Sequence, residues 1–192
     1  MVPFRHDLYL MLHLPPAITR LVVRLQQQLD FSYRGPSKPM APERLHATVV
    51  PLGSYLHRIP PEILRVARRA GALLEEAPFP VCFDTLQSRG TQGEVGTVEL
   101  AGHGAGVRPL VLLRRQLVAA LLQVGWPAEW IRRSFYPHIT VNYEHVAVVA
   151  RRIEPLTWAV TEVQLVDSHH GRGHHEVLAS WPLHRRQSSL FD

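Results

Sequence analysis

Leu45-His46-Ala47-Thr48-Val49 and Pro137-His138-Ile139-Thr140-Val141 are two copies of one pattern, His-x-Thr-Val, set 138 − 46 = 92 residues apart. Side chains alternate along a strand, so His46 and Thr48 share one face, as do His138 and Thr140. Leu45, Ala47 and Val49 take the opposite face of the first strand, Ile139 and Val141 that of the second. An apolar face backed by a His/Thr face suits a strand whose polar side lines a cleft. Random placement of this composition yields about 0.05 such motifs per chain, so a pair calls for a common cause.

Working outward, each motif follows a helix and a turn-rich loop. Leu8 to Leu14 is an apolar run that reads as a buried strand, ended by Pro15-Pro16. A helix then carries Ile18, Leu21, Val22, Leu25 and Leu29 at helical spacing. Ser32 to Pro42, with Gly35, Pro36, Pro39 and Pro42, reads as a loop before a strand from Arg44 to Leu52, closed by Gly53. Pro60-Pro61 opens a second helix, stopped by Pro78 and Pro80. Val81 to Gln87 and Gly96 to Leu100 form an expected hairpin with its tip at Ser88 to Gly93. A third helix is expected over 108–124, ending at Gly125, then strands at Pro137–Tyr143, Thr157–Asp167 and Glu176–Leu183. The expected class is α+β: two antiparallel sheets flanked by helices, with a central cleft.

The chain has 192 residues, 46% apolar, which suits a single domain spanning 1–192 and built of two related lobes. Lys and Arg number 21 against 16 Asp and Glu, a net charge of +5 that favours an anionic partner. The paired basic residues, such as Arg132-Arg133 and Arg151-Arg152, form no long basic arm. Cys82 is the one cysteine; it reads as a small buried apolar residue and excludes an internal disulfide. No secretory signal and no apolar run of spanning length is present, so a cytoplasmic monomer with no membrane partner is expected.

Two histidines facing one another suit the cleavage of a phosphodiester. One group must take a proton from the nucleophile and another must give one to the leaving oxygen; imidazole titrates near neutrality and can do either. The Thr48 and Thr140 hydroxyls can hydrogen-bond the non-bridging phosphate oxygens. The chemistry needs neither a metal nor a cofactor, and no clustered carboxylate set points to one.

The paired motifs resemble those of the two-histidine (2H) phosphoesterase superfamily, and within it the RNA 2′,3′-cyclic phosphodiesterase / 2′-5′ RNA ligase (LigT-like) family. The opening Leu8 to Pro16, the segments His46 to Gly53 and Tyr136 to Val141, and the closing Val163 to Ser168 and Trp181 to Leu183 carry the resemblance. It implies a bilobal, pseudo-two-fold fold and metal-independent opening of a 2′,3′-cyclic phosphate on an RNA end or a small cyclic nucleotide. Reversible 2′-5′ ligation is implied as well. His46 is implied as the acid and His138 as the base, giving a 2′-phosphate; the residues themselves do not assign those roles. Family members that handle RNA often carry an aromatic where this chain has Pro51, and many carry an arginine where it has Tyr143. Those two departures favour an alternative, a member that binds RNA or a nucleotide without cutting it. Tyr143 can still offer its ring or hydroxyl to substrate.

Ser168 to His175 is rich in histidine and holds Gly171 and Gly173, the composition of a solvated hairpin tip. By the resemblance it lies near the cleft mouth, where Arg172 meets substrate. A metal site built on His169, His170, His174 and His175 is a further alternative. His13 is open between cleft and core. Trp126 and Trp130 read as packing anchors, and Phe135 is open as a ring facing substrate.

Overall fold

A computed structural model describes residues 4–32, 37–89 and 95–184. Strands β1 (Arg5–His13) and β3 (His46–Leu56) pair antiparallel, and β8 (Glu162–His169) and β9 (His174–Pro182) complete a four-stranded sheet in the order β3-β1-β8-β9. The second sheet has the order β2-β6-β5-β4-β7, from β2 (Lys38–Pro39), β4 (Phe79–Arg89), β5 (Val95–Ala101), β6 (His138–Val146) and β7 (Arg151–Val160). Helices α1 (Pro16–Ser32), α2 (Pro61–Ala72) and α3 (Arg108–Gln123) complete this α+β fold.

The chain traces β1-α1-β3 and later β5-α3-β6, so each half builds the same strand–helix–strand unit with a His-x-Thr motif opening its last strand. The halves then exchange strands. β4 follows the first half but pairs with β5, and β8 follows the second half but pairs with β1. β3, at the edge of its sheet, contacts β6 across the junction between the sheets. The core runs through both: Leu8, Leu10 and Leu12 of β1, Val98 and Leu100 of β5, and Leu110, Leu113 and Leu117 of α3 are buried.

Two buried polar side chains tie each half to the other's motif strand. Gln26 of α1 donates from Nε2 to the Met40 and Val141 carbonyls, at 2.9 and 2.7 Å. Arg114 of α3 donates to the Val49 carbonyl at 2.9 Å and to that of Arg132, with its guanidinium over the Phe135 ring at 5.0 Å. Val49 and Val141 are the third residues after His46 and His138, so the two ties are equivalent in the two halves. Gln26 shares the Val141 carbonyl with the Met40 N–H, which lies 2.8 Å from it, and the two ties link each motif strand to the opposite half.

Several expectations need correcting. The single strand expected over 157–167 is two strands in different sheets: the chain leaves β7 at Val160 and enters β8 at Glu162. β3 runs on through Gly53 to Leu56, since that glycine sits at φ 120° within the strand rather than ending it. The expected 32–42 loop holds β2, which pairs Lys38 with Tyr143. Leu21 is 43% exposed on α1, and Gln26, 4% exposed, occupies a core position. Cys82 is only half-buried. Trp126 is buried, whereas Trp130 lies outside it, edge-on at 5.9 Å. Phe135, left open by the sequence, packs beneath Arg114. Of the expected hairpin tip at Ser88 to Gly93, residues 90–93 lie outside the described residues.

Candidate active site

The two motif strands share one burial pattern. Leu45, Ala47 and Val49 are buried while His46 and Thr48 are half-buried; Pro137, Ile139 and Val141 are buried while His138 and Thr140 are half-buried. Each histidine is tethered in the same way. His46 Nδ1 lies 2.6 Å from the Arg44 carbonyl, and His138 Nδ1 lies 2.8 Å from the Tyr136 carbonyl. A carbonyl only accepts, so Nδ1 carries the proton in both rings, and Nε2 is left as the atom that exchanges one. The tether comes two residues before the histidine in each lobe, so it repeats with the motif.

The surroundings then break the symmetry. In the first lobe the register partner of His46 is His13, and that of Thr48 is Met11. In the second, the partner of His138 is Ala101, and that of Thr140 is Glu99. Thus His46 faces other imidazoles, and His138 faces a carboxylate. The His46 ring centroid lies 6.3 Å from that of His13 and 5.1 Å from that of His175 on β9. Burial pushes the His46 pKa down to about 4, and His13, Arg44 and His138 add to this against the opposing hydrogen bond to Arg44. His46 is therefore neutral at pH 7, and His138 is close enough to be felt.

A relay backs this cluster. His13 donates from Nδ1–H to Gln164 Oε1 at 2.5 Å, the amide being oriented by its own Nε2–H bond to Glu162. His13 Nε2 is then an acceptor for Nδ1–H of His175, 3.2 Å away. Burial, followed by His46, Arg44 and His13, takes the His175 pKa down to about 3. On the other side, Glu99 is 2% exposed, with Oε1 3.7 Å from His138 Nε2 and Oε2 3.1 Å from Arg89 Nε. Arg89 also lies over the Tyr136 ring, which stacks on His138.

Tyr143 is partly exposed on β6, and its hydroxyl pKa is raised by burial, with Arg44 opposing and Glu99 assisting. It lines a cavity of about 770 Å³ together with Lys38, Arg44, His170 and Arg172. Arg172 is at this cavity, but its guanidinium rests 4.2 Å above the Phe4 ring, and no contact joins it to His46 or His138 among the described residues. The structure thus gathers His46, His138 and Tyr143 about one junction and sets Arg172 at its margin. Sequence reasoning missed His175, Glu99 and Arg44. His175 and Glu99 reach the site only through strand register, which local sequence does not encode.

Residues 14–172 match the 2'-5' RNA ligase superfamily. The chain belongs to that superfamily. Among solved structures it is similar to TT0787 of Thermus thermophilus, at 23% identity and TM-score 0.71 over 93% of this chain and 98% of that one. It is similar too to E. coli LigT complexed with 3'-AMP, at 24% identity and TM-score 0.70 over 95% and 99%. A crystal structure described as a phosphoesterase matches at 23% identity and TM-score 0.67 over 94% and 99%. No curated protein matches in sequence. The expected fold and family are therefore borne out, and the similarity extends over the whole 2'-5' RNA ligase-like fold. No described helix is long and apolar enough to cross a membrane.

Proposed function

We propose that this protein opens 2′,3′-cyclic phosphates on RNA ends or nucleotides, with His46 and His138 transferring the protons and no metal in the chemical step. The observation that carries the reading is the repeated tether: both rings are fixed with Nδ1–H on a backbone carbonyl, leaving two equivalent Nε2 atoms for proton exchange. Thr48 and Thr140 share the faces of their histidines and supply hydroxyls to the non-bridging oxygens. Lys38, Arg44 and Arg172 around the neighbouring cavity suit an anionic or nucleotide portion of the substrate, with Tyr143 offering a ring. Support also comes from LigT, a similar fold held in complexes with 3'-AMP, NADP+, ATP and phosphate. Reversible joining of a cyclic phosphate to a 5′-hydroxyl follows from the same pair by microscopic reversibility. A single domain acting as a cytoplasmic monomer completes the proposal.

In the substrate-free site His46 is neutral and His138 Nε2 lies beside the Glu99 carboxylate, a counter-charge for the imidazolium. That distribution favours His46 as the acceptor and His138 as the donor, the reverse of the roles the resemblance implies. A leaving-group comparison separates the two. A p-nitrophenyl phosphodiester leaves without protonation, so removing the general acid costs little with this ester, while removing the base costs about 10²–10⁴-fold with both substrates. Activity of His138→Ala on the aryl ester makes His138 the acid; activity of His46→Ala makes it His46. Loss of neither substrate's turnover in either variant refutes the two-histidine reading.

A second reading, binding without cleavage, is favoured by Pro51 and by the arginine's absence at Tyr143. It predicts salt-sensitive RNA affinity with no turnover.

A further inference from the structure

We propose that His6, Asp167 and His169, with Glu176 as a fourth donor, form a binding site for a zinc-class divalent ion on the sheet face opposite the cleft. The placement follows from register. His6 pairs with His169 and Leu8 with Asp167 across β1 and β8, and Asp167 pairs with Glu176 across β8 and β9. Alternation therefore puts all four side chains on the face of Leu8, while His13 and His175 belong to the other. His6 and His13 stand seven residues apart on β1, about 23 Å at strand rise.

One ligand atom from each of His6, Asp167 and His169 lies within 4.8 Å of the others. His6 Nε2 is 3.0 Å from the His57 carbonyl, which can only accept, so Nε2 carries the proton. Its Nδ1 then aims a lone pair at Asp167 Oδ2, 2.6 Å away. Two lone pairs at that separation need a positive charge between them. His169 Nε2 lies 3.2 Å from the same oxygen and 3.5 Å from Glu176 Oε2. Neither His169 Nε2 nor Asp167 Oδ1 has a hydrogen-bond partner among the described residues, and Asp167 is 5% exposed. A proton on His6 answers only one of these demands. A cation drawn in among the four donors answers them together.

The donor set suits zinc: two imidazole nitrogens and carboxylate oxygens, enough for a closed four-coordinate site. The His6 bond to a backbone carbonyl is the outer-shell contact that fixes a ligating ring. Phe4 packs edge-on against His6 and His169, at 4.3 and 5.1 Å between centroids, and screens the cluster from water. The ion would tie the start of β1 to the base of the hairpin that carries Arg172 and His175. It takes no part in the phosphate chemistry.

The test uses the full-length protein freed of metal with EDTA and titrated with zinc chloride by calorimetry. Wild type binds one ion per chain, and zinc at 100 times Kd raises the thermal midpoint by about 5–10 °C. His6→Gln and His169→Gln lose about 100-fold or more in affinity, with midpoints in EDTA that report their folding. His46→Ala, which removes an imidazole from the cleft cluster, binds as wild type does. Crystals of wild type with zinc give an anomalous peak between His6, Asp167 and His169. No binding by wild type, binding retained in His169→Gln, loss in His46→Ala, or a peak in the cleft overturns the proposal.

Discussion

Acidification should destabilise this protein through His46, and replacing that one ring should remove the effect. The folded-state pKa of His46 is held at about 4 by burial and by the neighbouring His13, Arg44 and His138, against 6.5 for the free side chain. Between those values the unfolded chain binds the proton and the folded one does not, so stability falls as pH drops from 6.5 towards 4. At pH 5 the difference is RT ln[(1 + 10^1.5)/(1 + 10^−1)], about 2 kcal/mol; at pH 7 it is negligible. His175 is held low by burial first and then by His46 itself, so replacing His46 also eases the acid sensitivity of His175, in the same direction. Urea unfolding of wild type and His46→Gln at pH 7 and pH 5 measures the effect. On moving from pH 7 to pH 5 the variant should gain about 2 kcal/mol relative to wild type. Parallel pH dependence in the two proteins would refute the claim that His46 is buried in its neutral form.

Other consequences concern packing and charge. Arg114→Ala removes charge-assisted bonds to the Val49 and Arg132 carbonyls and should cost about 3–5 kcal/mol in urea unfolding. Gln26→Ala, which removes the side-chain bonds to the Met40 and Val141 carbonyls, should cost about 1–3 kcal/mol by the same assay. Gly71→Ala places a Cβ 2.4 Å from the Trp181 indole where α2 meets β9, and should lower stability by about 1–3 kcal/mol. Glu99→Gln withdraws the carboxylate 3.7 Å from His138 Nε2 and should lower kcat on the cyclic phosphate, measured by steady-state kinetics.

The paired motifs were legible in the sequence because strand alternation alone separates His46 and Thr48 from Leu45, Ala47 and Val49, and likewise in the second copy. The helices were legible from apolar spacing. The change of sheet at Thr161 was not: apolar residues continue on both sides, at Val160 and Val163, and no glycine or proline marks the crossing. Gln26 and Arg114 were also hidden, because a polar residue on an amphipathic helix reads as solvent-facing until a partner strand supplies carbonyls for it. The asymmetry of the site was hidden for a related reason. His13 opposite His46, and Glu99 opposite Thr140, are matters of register between strands distant in sequence. The metal reading of the 169–175 loop illustrates the same limit. Only His169 of that loop joins the proposed cation cluster; His6 and Asp167 come from β1 and β8, and His175 turns to the cleft.

The most direct test is hydrolysis of a short RNA ending in a 2′,3′-cyclic phosphate, in excess EDTA, by wild type, His46→Ala and His138→Ala. Wild type should turn the substrate over, and each variant, still folded, should lose about 10²–10⁴-fold. Wild-type turnover that EDTA abolishes, or full turnover by either variant, would contradict the metal-free two-histidine reading.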